Sequence, residues 1–134
     1  MKGALYDQRR HRIDILRALS HCANNIIADM DAESVILNAT RQYLRLKGYL
    51  VIRHQQGSMC QPGIPDLSAI KRGRTIYIET KSPKWRGKLS KDQAKFKADI
   101  EAHGGMFFVI DSVDEMIKIV DELEHTDRLK EKLP

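Results

Sequence analysis

Apolar residues recur at three- and four-residue spacing between residues 31 and 47, and this period predicts an amphipathic helix. A second helix is predicted to start near Ser90 and to end at Gly104, and a last helix is predicted to start after the capping residue Ser112. The stretch from Leu5 to Ala28 also has helical periodicity and carries a basic face. The chain therefore contains four predicted helices.

Four shorter segments are rich in β-branched and aromatic residues and are predicted to be strands: Tyr49–Arg53, Leu67–Ile70, Thr75–Lys81 and Met106–Ile110. The Arg72-Gly73 turn joins the middle two into an antiparallel hairpin. The last segment is continuously apolar, which predicts a buried strand that returns to the sheet after a helical crossover. We expect one α/β domain with a mixed central sheet flanked by helices and an additional N-terminal helix.

Charge is distributed unevenly along the chain. The net charge is +5, but between Arg41 and Lys97 there are 14 Lys and Arg against three acids, a net charge of +11. Such a segment suits a polyanionic partner, because Lys and Arg side chains release counterions when they contact phosphates. A solvated basic surface is the alternative explanation.

The cysteine content and the lack of long apolar runs indicate where in the cell the protein is expected. Cys22 and Cys60 lie far apart with no C-x-x-C pair, which argues against a zinc site and a disulfide framework. No apolar run approaches the roughly 18 residues that a membrane span needs, and the N-terminus has no apolar export segment. We expect a cytoplasmic, nucleoid-associated protein without a membrane partner.

Candidate chemistry is concentrated in the predicted hairpin. Strand alternation places Glu79 and Lys81 on the same face, where an acid needs a partner because an unpaired buried charge is costly. A plain ion pair between these two residues is one interpretation. The other involves Asp66, which begins the preceding strand after Pro65 and, counting outward from the turn, lies within a residue or two of direct pairing with Glu79. Two converging carboxylates amid positive charge are suited to a hard divalent cation such as Mg²⁺.

These residues resemble a known signature. Gly63-Ile64-Pro65-Asp66-Leu67, followed by Glu79-Thr80-Lys81, is similar to the PD-(D/E)xK nuclease motif, and Lys88-Leu89-Ser90 with Gln93 narrows the likeness to the VRR-NUC family. The resemblance covers about Asp31 to Asp121. It implies a restriction-endonuclease-like core within a nuclease domain at residues 31–125, preceded by a helical extension at 1–30 and followed by a charged tail at 126–134.

The resemblance also implies site residues and partners. The metal ligands would be Asp66, Glu79, the Thr80 carbonyl and Glu33; Lys81 would be the catalytic lysine, and Gln93 would line the site. Members of the family that stand alone resemble junction-resolving enzymes that act as homodimers. The expected cofactor is therefore Mg²⁺, for which Mn²⁺ substitutes, and the expected substrate is branched DNA of the Holliday-junction or flap type.

Several of these residues have simpler explanations. Glu33 lies in the first turn of its helix, where the helix dipole favours any acid, and Gln93 lies three residues after Ser90, where it completes a capping box. Trp85 either stacks on a base or sugar, or anchors its loop or a dimer contact. We expect the DNA contacts to come from this tryptophan and neighbouring cations: Lys84, Arg86, Lys88, Arg53, Arg72 and Arg74.

Three functions remain open at this stage. The first is a metal-dependent endonuclease on branched DNA, the second a restriction-type or repair nuclease on linear duplex, and the third a catalytically silent basic DNA-binding module. The pair of acids argues against the third, because carboxylates in a basic face weaken phosphate binding.

Overall fold

The computed structural model describes Ile15, residues 32–85 and residues 88–133. Within them, helix α1 spans Ala32–Leu46, α2 spans Lys91–Ala102 and α3 spans Val113–Glu131. The strands are β1 at Leu50–Arg53, β2 at Leu67–Lys71, β3 at Arg74–Thr80 and β4 at Met106–Ile110. The predicted extension at residues 1–30 lies outside the described residues except for Ile15, which is helical and packs in the core.

The strands form one mixed sheet in the order β1-β2-β3-β4. The first three strands are antiparallel neighbours, and β4 runs parallel to β3 after the crossover through α2. The predicted hairpin is confirmed, with Lys71 paired to Arg74 across the turn and Leu67 paired to Ile78 at its far end. This is the α/β restriction-endonuclease-like architecture that the sequence predicts.

Helices cover both faces of the sheet. On one face, Leu44 of α1 and Met116 of α3 pack with Ile76 and Ile78 of β3 in a single apolar cluster, and all four side chains are fully buried. On the other face, Phe96 of α2 lies over the sheet, with its ring centroid 5.9 Å from that of Tyr77 and 6.3 Å from that of Phe107. The sheet is therefore the middle of three layers.

Two predictions of local structure need correction. β4 is not uniformly buried, because it lies at the edge of the described sheet; Phe107 and Ile110 are buried and the other three residues are half-buried. α3 continues through Thr126 to Glu131, so most of the segment at 126–134 that is predicted to be a separate charged tail belongs to this helix. Its last turns are held by Arg74, which donates two hydrogen bonds of 2.8 and 2.9 Å to Asp127.

Candidate active site

Three carboxylates from three separate elements meet at one end of the β2–β3 hairpin. Glu33 lies in the first turn of α1, Asp66 immediately precedes β2, and Glu79 is the penultimate residue of β3. One oxygen from each lies within 4.8 Å of the others. Asp66 follows the register one step beyond the Leu67–Ile78 pair and so lies opposite Glu79, and its N–H donates to Glu79 Oε2 at 3.2 Å. The prediction that these two acids adjoin is confirmed.

The Asp66 carboxylate is held by donors on both of its oxygens. The Thr80 N–H and hydroxyl donate to Oδ2 at 2.8 and 2.7 Å, and Gln56 Nε2 donates to Oδ1 at 3.2 Å. The Lys81 N–H bonds to Ile110 on β4, so the alternation of a strand turns the Thr80 N–H towards β2. Because the β2 ladder has ended there, the Asp66 side chain takes the place of the missing strand carbonyl.

Glu79 is almost completely enclosed, with 2% of its surface exposed. Its Oε1 accepts a hydrogen bond of 2.6 Å from Gln93 Nε2 and lies 3.0 Å from Lys81 Nζ. Burial, and then the negative charge of Asp66, raise the pKa of Glu79 above its ordinary value, while the contacts of Lys81 oppose that rise. The enclosed site therefore disfavours the charged form of Glu79 more than water does.

Gln93 both caps helix α2 and lines the acid cluster, which are the two roles that the sequence allows. It completes a capping box, because its N–H donates to Ser90 Oγ at 3.2 Å and its Oε1 accepts from the Ser90 N–H at 3.0 Å. The same Oε1 accepts from Lys81 Nζ at 3.1 Å, while its amide nitrogen bonds to Glu79. The capping geometry thus orients the amide towards both charged residues.

The charge and the donor atoms of the cluster are compatible with a bound divalent cation. At an effective dielectric constant near 20, two unit charges 4.8 Å apart repel by about 3 kcal/mol, so three carboxylates carry roughly 10 kcal/mol of mutual repulsion. The Lys81–Glu79 contact at 3.0 Å returns about 5 kcal/mol on the same scale. Oxygen donors arranged in this way are the ligands that Mg²⁺, Mn²⁺ and Ca²⁺ take.

The cations predicted to contact DNA have different surroundings. Arg53, Lys84 and Lys88 are exposed. Arg74 is engaged with Asp127 through two hydrogen bonds, and Arg72 lies 3.5 Å from Glu131 in a largely exposed pair. Trp85 ends a short 3-10 helix, Pro83–Trp85, but its side chain lies outside the described part of the chain, as does Arg86.

Sequence reasoning missed two donors to Asp66, the side chains of Gln56 and Thr80. Gln56 lies ten residues from Asp66 in a polar loop next to Gln55, and no periodicity indicates which of the two turns inward. The motif itself assigns a role only to the backbone carbonyl of Thr80 and none to its hydroxyl. The alternation that placed Glu79 also predicts a buried Thr80 at the end of the strand, and a buried hydroxyl needs a partner.

Comparison with known proteins agrees with the geometry. The model of the VRR-NUC domain matches residues 9–114, which is most of the chain and includes part of the segment ahead of α1. No curated protein matches the sequence. None of the described helices is long and apolar enough to cross a membrane.

Proposed function

We propose, from the premise that this chain belongs to the VRR-NUC family of PD-(D/E)xK nucleases, that it is a divalent-metal-dependent DNA endonuclease. Family membership indicates a nuclease that acts on DNA. The observation that carries the metal dependence is the convergence of Glu33, Asp66 and Glu79 within 4.8 Å. Mg²⁺ is the ion we expect, with Mn²⁺ as a substitute.

The ligands would be these three carboxylates together with the Thr80 carbonyl. In a strand, the N–H and C=O of one residue leave on the same side, so the Thr80 carbonyl faces the side on which its N–H meets Asp66. All four donors are oxygens, as a hard cation requires. Bound there, the ion would polarise the scissile phosphate and lower the pKa of a coordinated water.

Lys81 is the residue that we expect to handle the attacking water. Its ammonium lies between Glu79 Oε1 at 3.0 Å and Gln93 Oε1 at 3.1 Å, and 15% of its side chain is exposed. Two acceptors therefore fix Nζ at the rim of the acid cluster, where it orients water or stabilises charge developing on the phosphoryl oxygens. Gln93 positions the lysine and holds one oxygen of Glu79.

The proposal extends to the DNA structure that is cleaved and to the oligomeric state. We propose branched DNA, such as a four-way junction or a flap, as the preferred substrate, and a homodimer as the active form. Support for the dimer comes from β1, which lies at the edge of the described sheet and exposes 62% of Leu50 and 41% of Ile52. Apolar side chains beside a sheet edge suit strand pairing between two copies. Light scattering across a concentration series measures the dimer directly.

Cleavage of a panel of labelled DNAs tests the activity. The purified protein is incubated with linear, flap and four-way substrates of matched sequence, with Mg²⁺ or with EDTA. We expect nicking only with the metal and fastest on the branched forms. Asp66→Asn and Glu79→Gln should each lower the rate by about 10²-fold or more, and Lys81→Met by about 10²–10⁴-fold.

Matched surface variants control for loss of charge. Asp99 and Lys95 form an exposed pair on α2, 2.8 Å apart, with 59% and 77% of their side chains exposed. Asp99→Asn and Lys95→Met should cut at the wild-type rate. Full activity in Asp66→Asn or Glu79→Gln would refute the mechanism, and faster cutting of linear duplex at one sequence would refute the branched-DNA assignment.

A further inference from the structure

A polar cavity of about 320 Å³ lies beside the acid cluster, between the loop of residues 56–64 and the start of α2. Two of its lining residues contact the cluster directly: Gln56 donates to Asp66, and Gln93 donates to Glu79. The cavity is therefore separated from the proposed metal ligands by a single layer of side chains. A group bound in it would lie next to the scissile phosphate.

The charge of the lining indicates what the cavity receives. The surrounding segment carries a net charge of +11, yet no Lys or Arg among the described residues lines this cavity, and Asp92 is the one carboxylic acid among the described lining residues. A phosphate would therefore meet a carboxylate and no cation from the described part of the chain. The remaining polar lining consists of neutral amides and hydroxyls, including Ser58, Gln61 and Ser90, which are the groups that hydrogen-bond to base edges.

The size of the cavity is sufficient for a single base. Small-molecule sites begin at about 300 Å³, so a volume of about 320 Å³ accommodates one base with its sugar. A single base can enter only after it has been unpaired and unstacked, which is easiest where it is already unpaired. The side chains of Ser58 and Gln61 make no hydrogen bond to the described part of the chain and remain available to such a base.

We propose that this cavity receives one unpaired base of the DNA adjacent to the cleaved phosphate, and that this contact directs the enzyme to bulges, flaps and branches. The inference rests on the proposed nuclease function and deepens it, because it assigns the source of structural selectivity to named residues. Gln56 and Gln93 line the cavity and also donate hydrogen bonds to Asp66 and Glu79. A base bound in the cavity would therefore contact the side chains that position these two carboxylates.

Three duplexes that differ at one position test the proposal. One has the base paired, one has it as a single-nucleotide bulge, and one has a bulged abasic residue that keeps the sugar and phosphate but lacks the base. Affinity is measured by fluorescence anisotropy with Ca²⁺ in place of Mg²⁺, and cleavage is measured with Mg²⁺. We expect the base-bearing bulge to bind on the order of tenfold more tightly than either of the others.

The double variant Ser58→Ala/Gln61→Ala should reduce that preference to about twofold and leave binding to the paired duplex unchanged, since neither residue contacts the acid cluster. Gln55→Ala, an exposed neighbour outside the lining, should retain the full preference. Equal affinity for the base-bearing and abasic bulges, or an undiminished preference in the double variant, would overturn the inference. Absence of cleavage on every duplex would instead refute the nuclease function, and the binding comparison would still decide whether the cavity reads a base.

Discussion

Gly63 holds the loop ahead of Asp66 against the first turn of α2. Its φ is +76°, a conformation that side chains disfavour, and a Cβ built on it would collide with the Asp92 carbonyl and approach the Gln93 nitrogen to 2.8 Å. Both neighbours are backbone atoms of a helix and cannot rotate away. Gly63→Ala must therefore push the loop and helix apart, and with them Asp66 and Gln93.

Two matched glycines separate the expected loss of stability into a part from backbone strain and a part from overpacking. The left-handed conformation costs an alanine about 1–2 kcal/mol, and overpacking costs about 1–3 kcal/mol, so Gly63→Ala should lose roughly 2–5 kcal/mol. Gly73 has nearly the same φ of +75° but open space around its Cβ, so Gly73→Ala should lose only the first part. Gly57 has open space and an ordinary φ, and Gly57→Ala should gain about 0.4–1 kcal/mol.

Urea and thermal unfolding in EDTA measure this series. For a chain of this size, a loss of 1 kcal/mol corresponds to a fall in melting temperature of roughly 3–4 °C, so Gly63→Ala should melt about 6–20 °C below the wild type. Its cleavage rate at a temperature where it is folded should also fall, because Gln93 moves away from Glu79. Gly73→Ala should cut normally. If Gly63→Ala proves as stable as Gly73→Ala, the close contact between loop and helix does not exist.

Three further variants address the acid cluster and α3. Thr80→Val should weaken Mn²⁺ binding by about tenfold in calorimetric titration, because Asp66 loses its hydroxyl donor, whereas Thr80→Ser should bind normally; equal affinities would contradict the positioning role. Asp127→Asn should lower the melting temperature at neutral pH. The hydrogen bonds from Arg74 hold the pKa of Asp127 below its ordinary value, so its stabilisation is present above the unfolded-state pKa and is lost as the pH falls through the folded-state value. The difference in melting temperature between the wild type and Asp127→Asn should therefore disappear as the pH falls below about 4. A difference that stays constant with pH would instead indicate that the substitution disturbs packing. Glu33→Gln should weaken Mn²⁺ binding by about tenfold or more, because it removes one of the three carboxylate ligands, whereas unchanged Mn²⁺ affinity would show that Glu33 only caps its helix.

Local patterns were sufficient for the part of the site that depends on the hairpin. The Arg72-Gly73 turn sets the register, and strand alternation then places Asp66 opposite Glu79 with their side chains on one face. These relations follow from covalent connection through a short turn, so they need no knowledge of distant contacts. The capping box at Ser90 and Gln93 is equally local, since both partners lie within one helical turn.

Features that depend on tertiary contacts were not accessible in the same way. The apolar run of β4 predicts burial, but its place at the edge of the described sheet depends on which strands pair beyond it. The length of α3 reflects the Arg74–Asp127 contact between residues 53 positions apart, which outweighs the polar character of the tail. Gln56 likewise reaches Asp66 only through the path of an irregular loop.

The acid cluster lies where three separate elements of the fold meet. Glu33 belongs to α1, Asp66 to the loop before β2 and Glu79 to β3, so their repulsion acts against the packing of the helix on the sheet. A cation that binds the folded arrangement and not the unfolded chain reverses this effect, and its binding free energy adds to the free energy of unfolding. At an ion concentration 100 times the dissociation constant the gain is about 2.7 kcal/mol. The three carboxylates that would hold the metal therefore oppose the folded state when no metal is bound, and the donors to Asp66 and Glu79 offset part of that cost.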